Sequence, residues 1–358
     1  MRSIDESLPL AKTDPAGRVA PLRGAPGQIL AGKYELVREI GRGGMGIVWL
    51  AERLDWDRAP VAVKMMVSTL DSPAARARFD REAQTAVKLR STHVVQVLDH
   101  GIDEQTDTPF LVMELLEGES LRGRLDRLQV LSPEEVMLVV SHLGRALTRA
   151  RRFHVVHRDL KPENVFLADN GDEPNVKVLD FGLAKVFDTA TTIDSRALTM
   201  PGNVVGTPWY MSPEQIRRAD PDHRGDLWSL GVITFEALVG HRPFGASDLR
   251  ALAVQLFTEP RPIPSQLADV PPGFDAWFAM ATHPDLEQRF QSAEELVEAL
   301  ANVCGSSRKG IQPLEYERHS PLRTSSLAPV TRPPEVRPFL RRHTTLLFSA
   351  MGGVVLGT

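Results

Sequence analysis

Four short runs of this chain carry side chains suited to one kind of chemistry. Gly41-Arg42-Gly43-Gly44-Met45-Gly46-Ile47-Val48 follows a G-x-G-x-x-G-x-V pattern, and glycine lets backbone amides approach a polyphosphate without side-chain collision. Lys64 ends the apolar run Val61-Ala62-Val63. Further along stand His157-Arg158-Asp159-Leu160-Lys161-Pro162-Glu163-Asn164 and Asp180-Phe181-Gly182. Phosphoryl transfer requires a carboxylate near the acceptor hydroxyl, oxygen ligands for Mg²⁺ and a cation on the phosphates. Asp159, Asn164, Asp180 and Lys64 supply that inventory. Each run alone is a weak signal, since Gly-rich turns and dinucleotide fingerprints match the first and a lone lysine is usually a solvated charge.

The elements around these runs narrow the choice. Tyr34–Ile40, Ile47–Leu54 and Val61–Met66 read as strands, so the glycines lie in a strand–loop–strand hairpin, whereas a dinucleotide fingerprint needs a helix next. Such a hairpin suits a flap over a nucleotide, with the Lys64 ammonium facing what the flap covers. Pro73–Leu89 reads as a helix with Phe79, Ala83, Ala86, Val87 and Leu89 as its apolar members, and it carries Glu82 within reach of an ion pair with Lys64. Phe110–Met113 and Val176–Leu179 read as strands and Pro133–Phe153 as a long helix. Ser292, followed three residues later by Glu295, predicts a capping box at the start of a helix over residues 292–301.

Taken in order, the runs resemble the eukaryotic-type (Hanks-type) protein kinases across roughly residues 34–301. The resemblance implies an α+β, two-lobed fold: an N-lobe (34–113) of antiparallel sheet plus one helix, a hinge at 114–117, and a mainly helical C-lobe (118–302). It implies that Gly41, Gly43, Gly44 and Gly46 cover the ATP phosphates and that Val48 packs on the adenine. Glu114 and Leu116 would offer hinge backbone groups to the adenine, with Met113 behind it. Lys64 would hold the α/β-phosphates and pair with Glu82. Asp159 would take the acceptor proton, Lys161 steady the γ-phosphate, and Asn164 and Asp180 ligate Mg²⁺, with Mn²⁺ as an alternative ion.

Lys161 in H-R-D-L-K-P-E-N resembles the serine/threonine branch. Gly206-Thr207-Pro208-Trp209-Tyr210-Met211-Ser212-Pro213-Glu214 resembles the bacterial substrate-docking loop, with Thr207 against Asp159 and Lys161. Glu214 is expected to pair with Arg289, and Asp226 is assigned to structure. His157 is expected to pack under the catalytic loop, and Glu163 reads as a surface carboxylate. Arg158 before Asp159 implies control by phosphorylation of the following loop, at Thr199 first and at Thr191 or Thr192 otherwise. The expected activity is ATP-dependent transfer to protein Ser/Thr hydroxyls in signal transduction, with a kinase-domain dimer for trans-autophosphorylation. The alternatives are a non-catalytic ATP-binding scaffold and a small-molecule kinase. Lys64, Asp159 and Asp180 argue against the first, and the docking loop argues against the second.

Composition bounds the rest. The chain has 358 residues, 42% hydrophobic and 25% charged, with a net charge of −4, which gives no basic excess for nucleic acid. Cys304 is the only cysteine, which excludes an intrachain disulfide and a Cys-rich metal site. Residues 1–32, with Pro9, Pro15, Pro21 and Pro26, read as a flexible leader without a secretory signal. Residues 303–343 read as a basic, Pro-rich juxtamembrane linker, with 8 Lys/Arg against 3 Asp/Glu over 305–343, suited to inner-leaflet lipids or to a solvated spacer. Its seven Ser/Thr are candidate autophosphorylation targets. The uncharged run 344–358 would reach about 22 Å as a helix, short of a roughly 30 Å bilayer core. With Arg341, Arg342 and His343 before it, it reads as the start of a transmembrane helix that tethers a cytoplasmic kinase domain.

Overall fold

The computed structural model describes residues 24–43, 46–66, 72–103, 106–169, 175–181, 208–220, 222–246 and 248–305. All of them fall in one compact unit, Met1–Leu314. Thr191, Thr192, Thr199, Thr207, Gly44 and the apolar run 344–358 lie outside the described residues. Among the described residues no helix is long and apolar enough to cross a membrane.

The first layer is a six-stranded antiparallel sheet built from β1 (Ile29–Leu30), β2 (Tyr34–Gly43), β3 (Gly46–Arg53), β4 (Ala59–Met66), β5 (Val97–Asp103) and β6 (Thr108–Glu114), in the order β1-β2-β3-β4-β6-β5. Helix α1 (Pro73–Lys88) packs on one face through Phe79, Ala83 and Ala86, against Ala62, Met66, Leu111 and Met113. The other face closes around Leu36, Trp49, Val63, Phe110 and Val112. Period-2 alternation along β3 and β4 sorts side chains between these two clusters. Register then sets Lys64 opposite Val48 on β3 and Leu111 on β6. The lysine is 6% exposed, in keeping with its place within an apolar strand.

The reading of residues 1–32 as leader is corrected at its end. Leu30 is fully buried and pairs with Tyr34, while Gly27 N donates to Leu36 O and Leu36 N to Gln28 O, which ties this stretch to β2. The proline and glycine spacing there marks turns, and burial of one leucine holds the short strand between them.

The second layer is mostly helical. It begins with β7 (Gly118–Ser120), α2 (Leu121–Leu128) and α3 (Pro133–Arg152). Helix α3 starts on a complete Ser132/Glu135 capping box and ends in Arg149, Arg151 and Arg152, so both ends suit the helix dipole. Strands β8 (Val165–Ala168) and β9 (Asn175–Val178) join β7 in a small antiparallel sheet. Then come α4 (Pro213–Ile216), α5 (Arg224–Val239), α6 (Leu249–Thr258), α7 (Phe274–Ala281) and α8 (Ala293–Val303). Every residue of α5 after Arg224 is buried, the signature of a helix wrapped on all sides. Helix α8 lies against α3, where a Cβ on Gly144 would meet Val297 Cγ2 at 2.5 Å.

Ser292 caps α8 by accepting from Glu295 N at 3.1 Å. The expected reciprocal half of that capping box is absent: the Glu295 carboxylate takes Gln291 N at 2.7 Å instead. Cys304 sits at the end of α8, half-buried, and burial pushes its thiol up.

Candidate active site

The loop from His157 to Asn164 links α3 to β8, and its shape is imposed from below. The Asp226 carboxylate, at the buried start of α5, accepts His157 N at 2.8 Å and Arg158 N at 2.9 Å. Burial pushes the Asp226 carboxyl up, while His157 and the two backbone donors pull the other way. Arg158 has φ +69°, a left-handed conformation uncommon for a non-glycine residue. Its carbonyl is held by Gln215 Nε2 from α4 at 2.7 Å. His157 is fully buried, as expected. Its Nε2 sits 2.8 Å from Leu179 O, and its ring meets Phe181 edge-on at 4.8 Å.

On that base Asp159 presents its carboxylate between two side chains of its own loop. Lys161 Nζ lies 3.0 Å from Oδ1 and 2.8 Å from Oδ2. Asn164 Nδ2 donates to Asp159 O at 2.7 Å and to Oδ2 at 3.2 Å. Leu179 N donates to Asn164 O at 2.8 Å, which ties the loop to the chain leading into Asp180.

Asp180 lies just past β9 with φ +59°. Its Oδ2 accepts from Lys64 Nζ at 2.6 Å, and both side chains are largely shielded, 8% exposed for Lys64 and 16% for Asp180. Lys64 thus has a carboxylate partner from the far side of the cleft, Asp180, while Glu82 lies half-buried on α1. An ammonium this shielded takes the carboxylate that reaches it, and Asp180 reaches it here.

The wall of the cleft beside the glycine hairpin is apolar. Val48, Ala62, Met113, Leu116 and Leu179 belong to one cluster, which brings the glycine hairpin, β4, the hinge and the Asp180 strand together. The Glu114 side chain is spent elsewhere, accepting from Gln96 N at 2.7 Å and pairing with Lys177 Nζ at 2.7 Å. The glycines differ in purpose. A Cβ on Gly43 would meet nothing within 4 Å, and one on Gly41 only Val48 at 3.9 Å, whereas one on Gly46 would stand 2.3 Å from Met65 O. Gly41 and Gly43 are open to a ligand, while Gly46 is required by the approach of β3 to β4.

The donor set near Asp159 fits a hard divalent cation. Asn164 spends its amide nitrogen inside the loop, which leaves its carbonyl oxygen, and Asp180 adds carboxylate oxygens. No group of three or more His, Cys, Asp or Glu that could hold a metal occurs among the described residues. Remaining ligands would therefore be phosphate oxygens and water, as Mg²⁺ prefers.

Several supporting groups carried no sequence signal. Tyr210 OH donates to Glu236 Oε2, and Arg122 Nη1 binds Glu236 Oε1 at 2.8 Å. Burial and the Glu236 charge push the Tyr210 phenol up. Glu163, read as a surface carboxylate, has its Oε2 buried with no hydrogen-bond partner. The expected Glu214–Arg289 pair does form, at 2.8 and 3.2 Å, around a fully buried arginine side chain.

A two-lobed fold with a shielded lysine on the sheet and a pinned Asp–Lys–Asn loop on the helical side defines the protein-kinase architecture. Residues 34–316 match the family model for the protein kinase domain, and the chain belongs to that family, in its bacterial Hanks-type serine/threonine branch. It is 37% identical over 287 residues to serine/threonine-protein kinase pkn3 of Myxococcus xanthus, covering 79% of this chain and 52% of that one. It is 36% identical over 280 residues to serine/threonine-protein kinase PknL of Mycobacterium tuberculosis, covering 78% and 66%. The chain thus spans about half to two thirds of the length of these curated relatives. The crystal structure of the Mycobacterium tuberculosis PknI kinase domain superposes with a TM-score of 0.61 at 26% identity, covering 78% of this chain and 98% of that one.

Proposed function

We propose that this chain transfers the γ-phosphate of ATP to serine and threonine hydroxyls of proteins. The observation that carries the reading is the Asp159 carboxylate, held at hydrogen-bond distance from both Lys161 and Asn164 on a loop pinned by Asp226. Asp159 orients the acceptor hydroxyl and takes its proton. Lys161, already beside it, balances charge on the transferred phosphoryl group. Lys64 and Asp180 hold each other in this conformation. With nucleotide present, Lys64 serves the α/β-phosphates, and Asp180 with Asn164 holds Mg²⁺. The metal, when bound, neutralises charge that develops on the phosphate oxygens. Gly41, Gly43 and Val48 close over the nucleotide from above, and the Glu114 and Leu116 backbone meets its base.

The same reading includes autophosphorylation in the loop holding Thr191, Thr192 and Thr199, docking through Thr207, and a dimer for transfer in trans. It also includes tethering of the domain to a membrane by the basic linker and the apolar run 344–358. The test is phosphate incorporation from γ-labelled ATP with Mg²⁺, in the whole chain beside its Asp159→Asn variant, followed by site mapping. Label on Ser/Thr in the wild type alone supports transfer. ATP binding without label on any protein, in both chains, turns the reading to a non-catalytic scaffold.

A further inference from the structure

Two stretches of this chain carry cations with no acid among them: residues 83–98 and 136–158 together hold seven Lys/Arg and no Asp or Glu. The fold brings them side by side. Arg149 Nε, on α3, donates to Arg90 O, just past α1, at 3.1 Å. His93 and His142, one from each stretch, stack with ring centroids 4.1 Å apart. Arg145 and Arg149 are one turn apart on α3, so they share a stripe of that helix.

This face is uncompensated. None of the described ion pairs within 4.0 Å involves Lys88, Arg90, Arg145 or Arg149. Arg149 donates to a backbone carbonyl, and its guanidinium covers Phe153 at 4.6 Å, a residue left 38% exposed. The local field is also felt inside. Burial, then His93 and Arg145, hold His142 down at about 3. The catalytic side chains draw on none of these cations, so catalysis does not account for the patch.

We propose that Lys88, Arg90, Arg145 and Arg149 form a docking face for an anionic lipid surface. The choice of lipid over an acidic protein comes from the rest of the chain. Beyond α8 it continues through a stretch with 8 Lys/Arg against 3 Asp/Glu into an uncharged apolar run, the composition on which the proposed tether rests, and a basic patch on the folded domain suits the same anionic chemistry. Each Lys or Arg near such a surface is worth about 1 kcal/mol, and an exposed aromatic beside the arginines adds apolar contact with the headgroup region. The inference shares the bilayer with the proposed tether but stands on different residues.

The test is sedimentation of the whole chain with vesicles of phosphatidylcholine alone and of phosphatidylcholine with phosphatidylserine. The apolar run acts on both, whereas the basic linker and the face act only on the anionic ones, so the face is read from its own variants. Arg145→Ala with Arg149→Ala is expected to lower partition onto anionic vesicles by roughly twenty- to thirty-fold. Partition onto neutral vesicles and the melting temperature stay at the wild-type values. Lys88→Ala with Arg90→Ala, on exposed positions, gives the same loss should the first pair disturb α3. Replacing both arginines by lysine keeps the anionic preference. A wild type with no such preference, or alanine variants that partition like it, overturns the proposal. Retention of the wild type, but not the variants, on immobilised polyglutamate together with unchanged vesicle binding reassigns the face to an acidic protein. Loss of neutral-vesicle binding with the anionic difference intact removes the tether and leaves the face standing.

Discussion

Asp159 and Asp226 act on the same loop and do opposite work. Asp226 is 3% exposed and spends both oxygens on backbone donors of His157 and Arg158. Asp159 keeps a side chain 19% exposed and is met by the side-chain donors of Lys161 and Asn164. One carboxylate is used up by the fold, while the other is held ready by it. The same division separates Arg289, fully buried against Glu214, from Lys64, whose ion pair with Asp180 joins two groups that a nucleotide and its metal would engage. Reactive groups are thus given partners that can be exchanged, and anchoring groups are given partners that cannot.

The comparison breaks most visibly at the anchors. Asp226→Ala leaves two buried backbone N–H groups without an acceptor, each worth about 1–3 kcal/mol, so denaturant unfolding is expected to show a loss of roughly 2–6 kcal/mol together with collapse of transfer. Arg289→Ala strands Glu214 and is expected to cost about 3–5 kcal/mol with ATP affinity retained in the molecules that remain folded. Stability within 0.5 kcal/mol of wild type (an ordinary surface effect) would show that either residue is no anchor.

A smaller effect sharpens the comparison through pH. Val176 N donates to His142 Nδ1 at 3.2 Å, and Val176 O meets His93 Nδ1 at 3.1 Å, so the pair is built for neutral rings. Burial, His93 and Arg145 bring His142 from 6.5 to about 3. Between those values the unfolded chain binds the proton and the folded chain does not, so stability rises with pH across that window. The contribution is whole above about 6.5 and is lost as pH falls toward 3; His93, also lowered chiefly by burial, has the same sign. The melting temperature is expected to fall from pH 7 to pH 5, less steeply in His142→Asn, and parallel slopes would contradict this. Smallest is Ser292→Ala, which removes the α8 cap and is expected to cost about 1 kcal/mol in the same unfolding measurement.

The motifs were legible because each is contiguous and sits on an element whose period could be read. An apolar strand beneath the glycine hairpin placed Lys64 facing the cleft, and helix α3 began and ended within a residue of its expected span. The contact of Lys64 with Asp180 was not legible. Asp180 lies 116 residues away in sequence, and which carboxylate reaches a shielded ammonium depends on how the lobes meet. The Tyr210–Glu236–Arg122 network was hidden for the same reason, since a glutamate within an apolar helix looks alike in sequence whether it is paired or solvated. The strand at Ile29–Leu30 is two residues long, too short for any period to show among prolines and glycines.

The central claim is that Asp159 is reserved for chemistry on a loop that Asp226 holds. Its most direct test measures single-turnover phosphate transfer and thermal unfolding side by side for Asp159→Asn and Asp226→Asn. The account predicts that Asp159→Asn lowers transfer by about 10²–10⁴-fold, the usual worth of a general base, with ATP binding and melting temperature unchanged, while Asp226→Asn lowers the melting temperature as well. Near-normal transfer by Asp159→Asn, or equal destabilisation by the two substitutions, would contradict it.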